Sequence, residues 1–397
     1  MNISNIRLRR VTGVMETDGP FWEERAVSPA DIYDDFGRRQ HRPAEDQIDD
    51  RHIRFTAIYV QVEADDGLIG IGGPVPETSA YIVARELRSL LVGRDPIATE
   101  LLWDLMLRTA IHSRGGDWMQ AIGTIDCALW DLKGRWLDQP IYRLLGGPTR
   151  RRIPAHVSMA GYGLDDPGLV RERALMAQRM GFRMQKWFAR HGPGSGPAGL
   201  KSNVTLIRTL REALGDDDDI MLDCSRGWNY EYTLKVAKQI EEYDLRWLEE
   251  CVPPDRVETL AEIRRKISIP LSGGESEYGR WGFRRLIDAR AIDIVQPDVY
   301  MAGGLSETLK IAAYASANDL VTILHSGSSP AGVHFAAAQS PAGTPQIEYG
   351  IRSSLANYYF LRTPPNAVDG FIELPDTPGL GMDLDKAKID EEEEVRF

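Results

Sequence analysis

The alternation of apolar and polar positions changes character twice along the chain. Residues Ile3 to about Val14 alternate loosely and predict a strand. Arg54 to Glu63 is β-rich, and Asp65-Asp66-Gly67 supplies a tight turn before Leu68–Gly72, so a hairpin of a small antiparallel sheet is expected. Helical spacing follows over Thr78–Val92 and Thr99–Thr109, which makes residues 1–120 an α+β unit of their own. Within it, from Glu16 to Asp50, periodicity breaks down around Pro20, Pro29 and Pro43. A loop this long is either disordered or a lid, and its aromatics (Phe21, Trp22, Tyr33, Phe36) favour a lid that packs on something.

From Gln120 to Gly147 the spacing is helical again, with glycines at the ends. Beyond it strands and helices alternate. Strands are expected at Ile153–Met159, Arg183–Phe188, Ile220–Cys224, Leu245–Glu249, Pro270–Glu275, Ile292–Asp298, Val321–His325 and Gln346–Tyr349. Helices such as Val204–Leu214, Thr233–Glu242, Val257–Lys266 and Leu305–Ala317 lie between them. Eight strands in alternation with helices predict an α/β fold closed into a barrel over residues 121–375. Residues 376–397 turn back towards the first unit through Pro378 and Gly379, and Glu391–Glu394 is expected to be a solvated run.

Composition narrows the partners. A chain of 397 residues exceeds one typical core and implies two domains, and 43% hydrophobic with 27% charged residues is an ordinary globular balance. A formal net charge of −12 argues against nucleic acid or an anionic membrane, while a local metal or lysine still allows a small anionic substrate. Cys127, Cys224 and Cys251 have no zinc-motif spacing and an odd count, so buried thiols in a reducing compartment are expected. No apolar stretch of signal-peptide or membrane-span length is present, and a cytoplasmic location is expected.

The chemistry-bearing residues stand at strand ends. Asp223, Glu249, Glu275, Asp298 and His325 each close an apolar run, at intervals of 26, 26, 23 and 27 residues. That period is one strand, one helix and two loops, so all five fall on the carboxyl rim of a parallel barrel, where such folds place their active sites. A lone acid or histidine at a strand end is ordinarily a solvated or hydrogen-bonded structural residue; five in register with the barrel period point to chemistry. Three adjacent carboxylates repel, and a hard divalent cation relieves them, magnesium first and manganese second. Neighbours in a strand point to opposite sides, and the even spacing selects Glu249 over Glu250. Asp298 facing His325 fixes the ring tautomer and makes the imidazole a general base. A metal beside a base suits removal of a proton α to a carboxylate through an enediolate. Loss of an adjacent hydroxyl then gives β-elimination of water; a second base on the opposite face gives racemisation or epimerisation instead.

These residues resemble the enolase superfamily, and within it the mandelate racemase-like subgroup. The resemblance rests on Ile125-Asp126-Cys127-Ala128-Leu129-Trp130-Asp131-Leu132-Lys133-Gly134, on Leu144-Leu145-Gly146-Gly147, and on the rim pieces Leu222-Asp223, Trp247-Leu248-Glu249-Glu250, Gly273-Gly274-Glu275, Gln296-Pro297-Asp298 with Gly303-Gly304, and His325. It implies a modified TIM barrel, (β/α)7β, under an amino-terminal α+β capping domain, and a homo-oligomer. Glu348, in Gln346-Ile347-Glu348-Tyr349, matches the acid of the eighth strand that bonds the substrate carboxylate or enediolate. Lys186 matches the first lysine of the racemases' Lys-x-Lys, but Phe188 occupies the place of the second. Racemisation by two bases lacks a member, and Lys186 is expected to orient the substrate carboxylate. The L-rhamnonate dehydratase-like group also lacks the second lysine and shares the style of Trp247-Leu248-Glu249-Glu250-Cys251-Val252-Pro253-Pro254.

The leading expectation is therefore magnesium-dependent dehydration of an acid sugar, an aldonate such as L-rhamnonate or a relative, to a 2-keto-3-deoxy acid. An epimerase or cycloisomerase on the same enediolate, and a non-catalytic barrel that keeps its metal for stability, are the alternatives. Specificity is expected in the 16–50 lid and in the loop from Arg190, with His41, Arg42 and His191 as candidate substrate contacts.

Overall fold

A computed structural model describes residues 1–33 and 46–397 of the chain. Strand β1 (Ile3–Glu16) runs antiparallel to β3 (His52–Ala64), with Leu8 opposite Val60 and Val11 opposite Ala57. The short strands β2 (Gln47–Asp49) and β4 (Ile69–Gly72) pair with β3 as well. Period-2 alternation puts Ile6, Leu8, Val60 and Val62 on one buried face, against Leu102, Trp103 and Met106 of helix Thr99–Thr109 and Ile122, Ile125 and Leu129 of helix Gly116–Trp136. The approach of that second helix to β4 is very close. A Cβ on Gly70 would lie 2.1 Å from the Ala128 carbonyl oxygen, and one on Gly72 2.2 Å from that of Thr124, so only glycine lets the strand lie down on the helix.

Helix Gly116–Trp136 also ties the two halves of the chain together, and a boundary drawn at residue 120 passes through it. Its buried Asp126 accepts bonds from the backbone N–H and the hydroxyl of Ser306, on barrel helix Leu305–Ser316, at 2.9 and 2.6 Å. Its buried Asp131 accepts from the N–H of Ile71 in β4 and of Leu380 in the carboxyl-terminal segment.

The barrel runs β5 (Arg152–Ser158), β6 (Met184–Phe188), β7 (Asp219–Asp223), β8 (Trp247–Glu249), β9 (Leu271–Gly273), β10 (Ile294–Val295) and β11 (Val321–Thr322), each parallel to the one before. The eighth strand, β12 (Ile347–Gly350), returns to pair with β5 in parallel. Seven helices fill the crossovers, so the architecture is (β/α)7β. Met221, Trp247, Ile294 and Ile323 pack together as an apolar cluster of the barrel strands. The hairpin β13 (Ala367–Val368) and β14 (Phe371–Glu373) pairs with the outer start of β5.

Two expectations change. The ladders of β10 and β11 are two residues long instead of seven and five, because the chain leaves regular pairing at Pro297, which has no N–H to give. A single parallel bridge, Asp298 to His325, holds the two ends together. The tail acids are not a loose run: β15 (Glu391–Glu394) adds to the edge of β1. Its side chains stay exposed, but Glu392 and Glu393 face Arg9 and Arg10, and β1 has an edge of backbone groups to satisfy. No helix among the described residues is long and apolar enough to cross a membrane. The three cysteines are free and buried.

Around residues 21–27 the segment packs on the rest of the molecule, whereas Tyr33 is exposed and Phe36 lies outside the described residues. Phe21 and Val27 are buried in the main core. Glu23 accepts from the N–H of Gly163 and pairs with Arg173 and Arg352, and Glu24 caps the N–H groups of Leu164 and Asp165 and pairs with Arg190.

Candidate active site

Alternation along the strands decides which side chains reach the barrel mouth. In β6, Gln185 donates to the carbonyl of Ala174 and accepts from Trp187, so those two face the helices, and Lys186 and Phe188 point the other way. The register then sets Phe188, Asp223, Glu249 and Ser272 side by side across β6 to β9. Left-handed residues follow the strand ends: Ser225 (φ 46°), Arg226 (φ 59°), Glu250 (φ 47°) and Ser326 (φ 49°) turn the chain sharply at the rim. The turn at Glu250 carries its carboxylate away to the N–H of Gly274, at 2.8 Å, and leaves Glu249 inside.

Carboxylate oxygens of Asp223, Glu249 and Glu275 lie within 4.8 Å of one another. Each is held. Asp223 accepts from the N–H of Ser225 at 2.8 Å, and Glu249 from the indole of Trp247 at 2.9 Å and the amide of Gln296 at 2.8 Å. The fully buried ammonium of Lys186 pairs with Glu249, lies 3.3 Å from Asp223, and reaches Glu348 at 2.8 Å. Glu348 in turn accepts from the N–H of Ser326.

The charges strain against their burial. Burial and the neighbouring Glu249 push the Asp223 carboxyl up to about 7, and burial with the charge of Glu275 pushes Glu250 up to about 8. Burial also raises Glu249 and Glu348, but the ammonium of Lys186 outweighs it, and both stay below the ordinary carboxylate range. For Lys186 burial acts downward and is overcome by Glu249 and Glu348, which keep it protonated. An all-oxygen donor set with unrelieved repulsion fits a hard divalent cation; Asp223, Glu249 and Glu275 would hold it.

Beside this platform, His325 Nδ1 lies 3.1 Å from Asp298 Oδ2. The other oxygen of Asp298 accepts from the N–H groups of Tyr300 and Met301, so the carboxylate cannot turn and the ring presents Nε2. That Nε2 lies 3.3 Å from Glu275 Oε2. Burial lowers the ring's affinity for a proton, but Glu275 and Asp298 outweigh it and raise it to about 10.

A cleft of about 590 Å³ opens over Glu275, Asp298 and His325 and is walled by both units, with Thr56, Ile58 and Val75 on the capping side. The fold thus brings together seven expected residues: Lys186, Asp223, Glu249, Glu275, Asp298, His325 and Glu348. It holds His191 elsewhere: Nε2 lies 2.9 Å from Asp165, Nδ1 lies 3.1 Å from Ser195, and the residue does not line this cleft. His41 and Arg42 lie outside the described residues. Sequence reasoning missed Arg226, whose Nη1 lies 2.5 Å from Glu275 Oε1, and Gln296, which orients Glu249. The only signal for Arg226 was its place three residues past a strand-end acid.

Fold and site together define an α/β-barrel enzyme that works at the carboxyl rim with acids, a buried lysine and an Asp–His pair. Residues 38–146 match the mandelate racemase / muconate lactonizing enzyme N-terminal domain, and residues 169–388 match the enolase C-terminal domain-like family. The chain belongs to the enolase superfamily, in its mandelate racemase-like group. It is 34% identical over 337 residues to L-rhamnonate dehydratase of Saccharopolyspora erythraea, which covers 82% of this chain and 83% of the relative. The crystal structure of rhamnonate dehydratase from Gibberella zeae complexed with Mg superposes with a TM-score of 0.84 at 30% identity, over 98% of this chain and 95% of that one. The 3,6-anhydro-D-galactonate cycloisomerase from Zobellia galactanivorans gives 0.79 at 27% identity, over 98% and 100%.

Proposed function

We propose that the protein is a hydro-lyase that dehydrates an acid sugar, an aldonate such as L-rhamnonate or a relative, with Mg²⁺ held by Asp223, Glu249 and Glu275. The cation, when bound, supplies positive charge to the substrate carboxylate as the C2 proton leaves. Lys186 and Glu348, joined at 2.8 Å, orient that carboxylate. With the charge of Glu275 taken up by the cation and no longer holding a proton on the ring, His325, its Nδ1 fixed by Asp298, would take the C2 proton on Nε2 and return a proton to the departing 3-hydroxyl, which leaves as water. The enol that remains tautomerises to the 2-keto-3-deoxy acid.

The observation that carries the dehydratase reading is that the proton chemistry of the described residues is one-sided. An Asp–His pair is present on one strand pair, while the second-lysine position across the mouth is Phe188. Similarity to a rhamnonate dehydratase supports the substrate class. The test is a screen of aldonates with Mg²⁺, assayed for 2-keto-3-deoxy products and for C2 exchange in deuterium oxide. Acids that emerge unchanged and unexchanged remove the reading. Similarity to a cycloisomerase favours a second outcome on the same enediolate, exchange with an isomer and no loss of water.

A further inference from the structure

Arg226 commits one of its three guanidinium nitrogens and lines the cleft. Nη1 donates to Glu275 Oε1 at 2.5 Å and to Ser276 Oγ at 2.9 Å. Nε and Nη2 donate to none of the described residues, and they are not buried atoms starved of a partner. The side chain is 33% exposed, and it lines the cleft between the two units. The other guanidinium on that cleft, Arg10, is taken up by Glu77 and Glu393. Arg226 is therefore the lining guanidinium, among the described residues, with an edge to spare.

A guanidinium is a planar fork of donors with no acceptor, and its edges carry two nearly parallel N–H bonds. Anchored through one nitrogen on Glu275, this fork is already ordered, so little conformational freedom remains to be lost when it binds. Its anchor is one of the three acids of the metal platform, which sets the fork at a constant offset from the reacting end of the substrate.

We propose that Arg226 is a specificity-determining residue, and that its Nε–Nη2 edge binds hydroxyl oxygens of the sugar chain beyond C3. The proposal rests on the dehydratase reading above. It names the feature that substrates must share: at least one hydroxyl acceptor past C3, on a chain long enough to reach the fork. A chain that ends earlier leaves those donors unmet but loses nothing at the reacting carbons.

A competing role is that Arg226 only steadies Glu275 for the metal. Arg226→Lys separates the two, because an ammonium keeps the charge beside Glu275 and loses the fork. The measurements are Mn²⁺ affinity by electron paramagnetic resonance, and kcat and KM on six-carbon aldonates and on the three-carbon acid glycerate, which has no hydroxyl beyond C3. We expect Mn²⁺ affinity to stay within about twofold, and kcat/KM on the six-carbon acid to fall on the order of tenfold, through KM, with the three-carbon acid unaffected. Arg226→Gln, also folded-state checked by circular dichroism, should lose the same discrimination if the lysine variant is poorly folded. Equal losses on both acids, or Mn²⁺ affinity falling in step with turnover, overturn the proposal and leave the dehydratase reading standing. A wild-type enzyme that dehydrates no aldonate at all removes both.

Discussion

Phe188 lies beside Asp223 in the register of β6 and β7, so an aromatic ring stands where the first acid of the metal platform begins. The Lys186 ammonium sits 5.5 Å over that ring, and its donors are turned to Glu249 and Glu348 instead. Among the described residues, this side of the mouth offers a ring and an ion-paired ammonium in place of a free base.

A consequence concerns stereochemistry. Substrate recovered from partial reaction in deuterium oxide should carry deuterium at C2 with its configuration retained, as read by proton NMR. Phe188→Lys should introduce the C2 epimer. Epimer accumulating with the wild-type protein would show that a second base exists.

The Asp298–His325 pair predicts a division between binding and turnover. His325→Asn should lower kcat by about 10²–10⁴-fold while Mn²⁺ still binds, because the imidazole supplies a proton path and no metal ligand. Asp298→Asn should cost less, since the ring remains and only its orientation is lost. Turnover of His325→Asn at the wild-type rate would exclude this residue as the base.

Three carboxylates at mutual distances within 4.8 Å predict a cation-dependent stability. Thermal unfolding should shift upward with Mg²⁺, by about 2.7 kcal/mol at a hundredfold excess over Kd. A chelator should reverse the shift, and Glu249→Gln should abolish it. A melting temperature indifferent to Mg²⁺ in the wild-type protein would count against the site.

Glu23 predicts that the segment around it is latched to the barrel. Its carboxylate, 18% exposed, joins Gly163, Arg173 and Arg352. Burial raises its pKa, but the Gly163 N–H and Arg352 outweigh it, and the group is lowered. Glu23→Ala should cost about 1–3 kcal/mol in urea unfolding, part of it from arginines left without a partner. Glu172→Ala, at an exposed carboxylate of helix Pro167–Arg179, should cost little and serves as the control.

Two histidines outside the site predict the acid limb of stability. Burial pushes His156 down to about 4 and His334 down to about 3. Unfolded histidines take a proton near pH 6.5. Between that pH and the folded values the unfolded chain binds more protons, so stability rises with pH there and is lost as pH falls from about 6.5. A melting temperature that is flat from pH 7 to 4 would contradict both assignments.

Much of the barrel was legible because strand and helix periods are local, and a repeat near 26 residues is visible without knowing any contact. The same arithmetic put Asp223, Glu249, Glu275, Asp298 and His325 on one rim. The ends of β10 and β11 were read too long, because an apolar run continues to Asp298 and His325 whereas pairing stops where Pro297 has no N–H. The tail at Glu391–Glu394 is legible as a solvated run, as its exposed side chains are, but its pairing is not, because nothing local announces that β1 has an edge to fill.

Asp223, Glu249, Glu275, Asp298 and His325 were thus determined by the order of amino acids alone, since a residue's place at a strand end follows from spacing, whereas Lys186, Glu348 and the place of Phe188 were legible only through the resemblance to the mandelate racemase-like subgroup. What only the tertiary structure decided is which long-range partners complete the site. Glu23 meets Arg352 across 329 positions, Asp126 meets Ser306 across 180, and Arg226 meets Glu275 across 49. Such contacts arise from how helices and loops stack on the closed sheet, and no period in the sequence records them.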